Sequence, residues 1–213
     1  MTKSNILNEA DLQDIKKKSV SGAISYFIRT LLLQAVGLVS VFVLSSYFSP
    51  EDFGIYGFVI QIIGILIFFS DIGLAASLIQ KKQEPSQTDY RSAFTIQQIL
   101  SWIIMLIILI ILSTGFVQNK TGETGKWILL ALGISFPLAT FKTIPSVILE
   151  RKLDFSKLIL PQIFEQIVFH GILIYMAFSG YGSVSYAYAI LARSVVGVFS
   201  MSLLQPWSIG FAL

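Results

Sequence analysis

Six apolar blocks, each of twenty or more residues, fill the chain from Ser19 to Gln205, and only short polar punctuation separates them. A bilayer core about 30 Å thick takes ~20 apolar residues to cross as a helix. A soluble fold would instead show apolar stripes alternating with polar faces. The pattern predicts an all-α integral membrane protein of about six transmembrane helices, with no room for a soluble domain. Composition agrees, because 13% charged residues is about half the ~25% of soluble domains.

Several function classes drop out at once. The 213 residues include no cysteine, so disulfide, thiol and cysteine–metal chemistry are excluded, and no cofactor or metal site is expected. No basic run interleaved with aromatics points to nucleic acid. No nucleophile–base pairing, HExxH or phosphate loop is present, so the chain is not expected to be an enzyme.

The spans are expected at about 19–48, 53–80, 93–117, 127–149, 156–178 and 183–205. Residues 1–18 read as a cytoplasmic amphipathic lead-in, with Ile6, Leu7, Ala10, Leu12 and Ile15 at roughly helical spacing. The first apolar stretch is too long for the ~7–15-residue core of a cleavable signal and is read as an uncleaved span. Ser49-Pro50-Glu51-Asp52 predicts a tight turn with Ser49 or Asp52 as a helix cap. Lys81–Tyr90 and Gln118–Lys126 read as polar loops, Glu150–Asp154 as a short charged link, and Ser179–Gly182 as a turn. The tail 206–213 looks like the start of a connection to further chain.

Ten Lys and Arg side chains fall on one side of this arrangement, in the N-terminal segment and the 81–92 and 150–157 links, and only Lys120 and Lys126 on the other. By the positive-inside rule both termini are expected in the cytoplasm, as in a multi-pass protein of a bacterial inner membrane.

Arg29, Asp71, Lys142, Glu165, His170 and Arg193 fall inside spans, between roughly 12 and 20 Å from the cytoplasmic ends at 1.5 Å per residue. Each charge at a helix centre costs roughly 2.5–3.5 kcal/mol when it faces lipid. The charged residues are therefore expected to face one another or water, and a shared cavity satisfies them all. Arg29 either snorkels to the interface or pairs with Asp71 at equal depth. Lys142 lies between Pro137 and Pro145, which predicts a kinked or broken fourth helix lining a cavity. Glu165 and Arg193 could pair or flank a ligand. His170 reads as a satisfied polar contact, with a ligand or proton-relay role as the alternative. The balance of Arg29, Lys142 and Arg193 against Asp71 and Glu165 is slightly cationic and suits an anionic ligand. Small residues such as Ala189 and Gly197 share a face of the last helix with Arg193, and they read as packing positions.

The run Tyr47 to Gly57, followed by Phe69 to Gln80, resembles the first hairpin of the polysaccharide flippases. These are the Wzx-type O-antigen, lipopolysaccharide and teichuronic acid exporters of the MATE-like MOP superfamily. Ile144 to Phe155 is similar to the link between their fourth and fifth helices, and Gln205-Pro206-Trp207 to the end of their sixth. The resemblance covers nearly the whole chain. It implies one lobe of a two-lobe transporter that alternates access around a cationic cavity and flips polyprenyl-pyrophosphate-linked oligosaccharide for cell-surface polysaccharide. A second lobe, C-terminal to this one or on a partner subunit, is then expected, with the lipid-linked oligosaccharide and membrane lipids as the other partners. The resemblance further implies that Arg29, Lys142 and Arg193 contact pyrophosphate or sugar acids, and that Asp71 and Glu165 organise them. Two other readings stand beside it: a cation-coupled multidrug-type exporter of the same superfamily, using Asp71 or Glu165, and a non-transporting scaffold for glycan assembly.

Overall fold

The computed structural model describes residues 9–70 and 73–212, with side chains from residue 27 onward except 68–70. Asp71 therefore lies outside the described residues, and so does its expected pairing with Arg29. The described chain is helical, without a strand. Its elements are α1 (Glu9–Leu44), α2 (Pro50–Ser70), α3 (Leu74–Gln80), α4 (Gln87–Ser113), α5 (Phe116–Arg151), α6 (Phe155–Phe178) and α7 (Ser185–Leu204), with a 3-10 turn at Gly182–Val184. Six stretches among the described residues are long and apolar enough to cross a membrane, one each in α1, α2, α4, α5 and α6, and one in α7 with its 3-10 turn. The all-α membrane fold read from the apolar blocks is the fold observed.

Local chemistry moves several boundaries. The lead-in from Glu9 is continuous with the first span, because neither Pro nor Gly interrupts the chain before Gly22. The second span, expected unbroken over 53–80, is interrupted at Gly73, left-handed at φ 76°, after which α3 starts at Leu74. The third begins at Gln87 rather than 93. Ser86 and Asp89 form a reciprocal capping box that starts a helix before the apolar run does. Gln118–Lys126 is not a loop. It is helix on both sides of Gly122, whose φ 64° and ψ −166° fall in a region open essentially to glycine. The break in α5 lies at Gly122, and the backbone stays helical through Pro137 and Pro145.

At the end of α5, Leu153 takes a left-handed conformation at φ 56°. The Asp154 amide donates to the Leu149 carbonyl at 3.0 Å and the Leu153 amide to Glu150 at 3.0 Å. The same pair of bonds closes α6 around Gly180, so one helix stop is built twice, once with glycine and once with leucine. Asp154 then caps α6 by accepting from the Lys157 amide at 3.4 Å.

Arg151 joins separate elements. Its guanidinium donates to the carbonyls of Leu78 (2.6 Å), Ile79 (2.9 Å), Lys81 (3.0 Å) and Gln83 (3.2 Å). These are groups at and beyond the C-terminus of α3, which would otherwise lack donors. The tail expected as a connection is packed along α4. Trp207 and Phe211 lie 5.3 and 5.6 Å from the Phe94 ring, and the Ala212 amide donates to Thr95 Oγ1 at 3.0 Å.

The main apolar core fills one half of the bundle, the half carrying the 45–49 and 179–182 turns. It contains Phe48, Val59, Ile108, Leu129, Leu173 and Ile190. Tyr56 and Tyr186 stack there at 4.0 Å, and Ser183 donates to the Asp52 carboxylate. Toward the other half, which carries Lys81, Lys82, Arg151 and Lys152 and is called here the basic end, the core breaks into two smaller clusters. One surrounds Phe94 and Ile144, the other Leu149, Leu158 and Met201.

Candidate functional site

In the half toward the basic end, α5, α6 and α7 bring Lys142, Glu165 and Arg193 together, with Leu33 of α1 closing one side. Each residue arrives by helical register. Lys142 and Ser146 are one turn apart on α5. Gln162, Glu165 and Gln166 lie within four residues of one another on α6, after Pro161. The pocket they line has a volume of about 310 Å³.

Glu165 is the organiser. It is 8% exposed, and Lys142 Nζ donates to its Oε1 at 2.6 Å. Arg193 Nε approaches the other oxygen, Oε2, at 3.8 Å. A carboxylate charge at this depth is costly without a partner, and Lys142 supplies the compensating charge. Arg193 is held more loosely. Its side chain is 44% exposed, it stands over the Phe169 ring at 5.6 Å, and 3.8 Å is beyond hydrogen-bonding distance. Most of its five donors are thus uncommitted to Glu165.

Room for the carboxylate comes from α7. A Cβ built on Gly197 would stand 2.6 Å from Glu165 Cδ and 2.9 Å from Cγ, closer than atoms can pack. The small-residue face read as packing therefore does something specific at Gly197, where it lets the α6 carboxylate lie against the α7 backbone.

The six intramembrane residues expected to share one cavity divide. Lys142, Glu165 and Arg193 meet. Arg29 is half-buried on α1, one turn before Leu33 and on the same face. His170 lies five residues beyond Glu165 on α6 and does not line the pocket; its ring meets Phe169 edge-on at 5.0 Å. Five residues turn the helix ~140°, which carries His170 off the Glu165 face. Asp71 falls outside the described residues.

Reading for ionisable groups missed Ser146, Gln162 and Gln166. The available signal was three polar side chains within five residues of an apolar helix, Gln162 to Gln166. No group of three or more His, Cys, Asp or Glu able to hold a metal ion occurs among the described residues.

Comparison with known proteins adds one finding. No curated protein and no solved structure matches the chain. A family model described as "Polysaccharide biosynthesis protein" matches residues 43–213, from the end of α1 through the tail. This stretch includes Lys142, Glu165 and Arg193. The chain, a multi-pass helical bundle with a charged intramembrane pocket, belongs to the polysaccharide biosynthesis protein family.

Proposed function

We propose that this chain is one lobe of a flippase that carries an anionic, lipid-linked oligosaccharide across a bacterial inner membrane, with both termini cytoplasmic. The observation that carries the reading is Arg193. It is a half-exposed guanidinium in a membrane pocket, and the carboxylate facing it is already neutralised by Lys142 at 2.6 Å. The pocket therefore keeps a net positive charge on a donor-rich, movable side chain, which is what a phosphate or pyrophosphate needs. Gln162 and Gln166 add neutral donors for the remaining oxygens or for sugar hydroxyls.

The distribution of the core supports a transport cycle. Apolar packing closes the half bearing the 45–49 turn, while the charged pocket lies toward the basic end. That asymmetry fits a lobe arranged to receive substrate from the cytoplasm. The proposed complete transporter adds a second lobe, which would face this one across the substrate. An exporter of cationic compounds is less well served, because Lys142 already occupies the only carboxylate lining this pocket among the described residues. The reading assigns the chain no enzymatic step.

The test is export of surface glycan in cells that depend on this transporter. Lys142→Gln and Arg193→Gln are each expected to lower export about tenfold or more, since one charge-assisted hydrogen bond is worth roughly 1.5–3 kcal/mol. Unchanged export by both variants, at equal amounts in the membrane, overturns the proposal.

A further inference from the structure

A groove of about 280 Å³ runs along the seam between α5 and α7, in the half of the bundle that carries the 179–182 turn. Trp127, Ala131 and Ile134 line it from α5, and Ala187, Tyr188 and Leu191 from α7. On each helix these positions fall at three- and four-residue spacing, so each contributes one continuous stripe. The two alanines are buried and form the floor. Trp127 is 48% and Tyr188 52% exposed, so the groove opens on the surface of the bundle. From Trp127 to Ile134 it covers about 10 Å of helix, and on a membrane-spanning pair of helices such a surface meets hydrocarbon.

Opposite charges stand at its mouth. Lys126 Nζ lies 5.7 Å from the centroid of the Trp127 ring and donates to Glu123 Oε2 at 2.9 Å. The two residues are one turn apart, just beyond the Gly122 break in α5. The Glu123 side chain is 67% exposed. An ion pair so open to solvent contributes little, and a headgroup can part it at small cost. Trp and Tyr are the side chains that settle at the membrane–water boundary. Trp127 and Tyr188 therefore set the charged pair at the level of lipid headgroups and the alanine floor at the level of acyl chains.

Headgroup chemistry follows from the pair. A lipid with only negative charge would meet the Glu123 carboxylate, and one with only positive charge the Lys126 ammonium. A zwitterion suits both, its phosphate accepting from Lys126 and its ammonium donating to Glu123. A choline ammonium is fully methylated and has no N–H to donate, whereas an ethanolamine ammonium has three, as a lysine does. We propose that this groove holds a phosphatidylethanolamine of the surrounding bilayer, with an acyl chain along Ala131 and Ala187 and its headgroup on Lys126 and Glu123. The inference stands on the membrane character of the bundle and on this groove, and does not depend on the flippase reading.

The experiment is quenching of Trp127 fluorescence by brominated phospholipid. Trp102→Phe with Trp207→Phe leaves Trp127 as the one tryptophan of the full chain. The protein is placed in symmetric vesicles of phosphatidylcholine and phosphatidylethanolamine in equal parts, with bromine on the acyl chains of one lipid or the other. A parallel series replaces phosphatidylethanolamine by phosphatidylglycerol. Bromine on the ethanolamine lipid is expected to quench about threefold more than on the choline lipid, because only the former can donate to Glu123. Glu123→Gln and Lys126→Gln should each bring the two lipids to parity at unchanged helical circular dichroism. Should the double tryptophan variant fail to fold, the quenching lost on Trp127→Phe in the otherwise natural chain reports the same groove. Equal quenching by both lipids in the parent overturns the proposal, as ordinary boundary lipid. Strongest quenching by phosphatidylglycerol overturns it as a simple cation site, and no quenching by any lipid overturns it as a face covered by protein. A preference for the ethanolamine lipid that both charge variants retain also overturns it, since the pair would then not read the headgroup.

Discussion

Glu165 holds two cations at different distances, and the difference separates a structural contact from an available one. Lys142 at 2.6 Å completes a buried pair, whereas Arg193 at 3.8 Å is half-exposed. Breaking one side of a buried pair strands the other charge, which costs about 3 kcal/mol or more, while removing both together costs much less. Lys142→Met should therefore lower the Tm in detergent more than the double variant Lys142→Met with Glu165→Met. Equal or additive losses would show that the pair carries no coupling. Gly197→Ala should act on the same contact from α7. Its methyl group would overlap the carboxylate, so the variant is expected to lose export activity as Lys142→Gln does, although no charge changes. A Gly197→Ala variant with normal export would show that the carboxylate relocates freely.

Helix ends show how far local sequence reaches. The Ser86–Asp89 capping box is present in the letters, yet the first turn of α4 is polar and reads as loop, which places the expected start of the third span only at 93. Gly122 is visible too, but a single glycine in a polar stretch reads equally as a loop or as a break between two helices. Its φ of 64° makes it a break between two helical stretches. Leu153 carries no local signal, since a leucine in the left-handed region costs ~1–2 kcal/mol. Leu153→Gly should consequently raise stability by about 1 kcal/mol, seen as a higher Tm, and a fall would mean that its exposed side chain does more at the interface than its backbone loses. In the sequence Arg151 counts only as a positive charge near the membrane. In the fold it gathers four carbonyls at the end of α3. Arg151→Met should speed amide hydrogen exchange in residues 74–83 by about tenfold or more, as the loss of ~1.5–3 kcal/mol of charged hydrogen bonding implies, while the central turns of α5 stay protected. Arg151→Lys should restore little, because an ammonium lacks the planar fork.

Across the whole molecule, the half carrying the 45–49 turn is packed with apolar side chains, and the half toward the basic end holds the charged pocket. The proposed orientation is directly testable because the natural chain has no cysteine. Single cysteines at Gln83 and Leu153 should react with an impermeant maleimide only after the cytoplasmic face is opened. Cysteines at Thr124 and Tyr181 should react from outside in intact cells, and the reverse pattern would invert the orientation. The membrane class, the number of crossings and the uneven placement of Lys and Arg were all written in the sequence, because bilayer thickness fixes span length and charge cannot be placed freely along a span. Family membership was likewise legible in Tyr47–Gly57 and Ile144–Phe155. Which intramembrane charges meet was not. A helix such as α2, apolar almost all round, gives no face to read, and rotation is set by contacts between helices. Only the packed structure seats Glu165 against Gly197, joins it to Lys142 and Arg193, and turns His170 away, because those outcomes depend on how α5, α6 and α7 approach one another and not on the order of residues along any one of them.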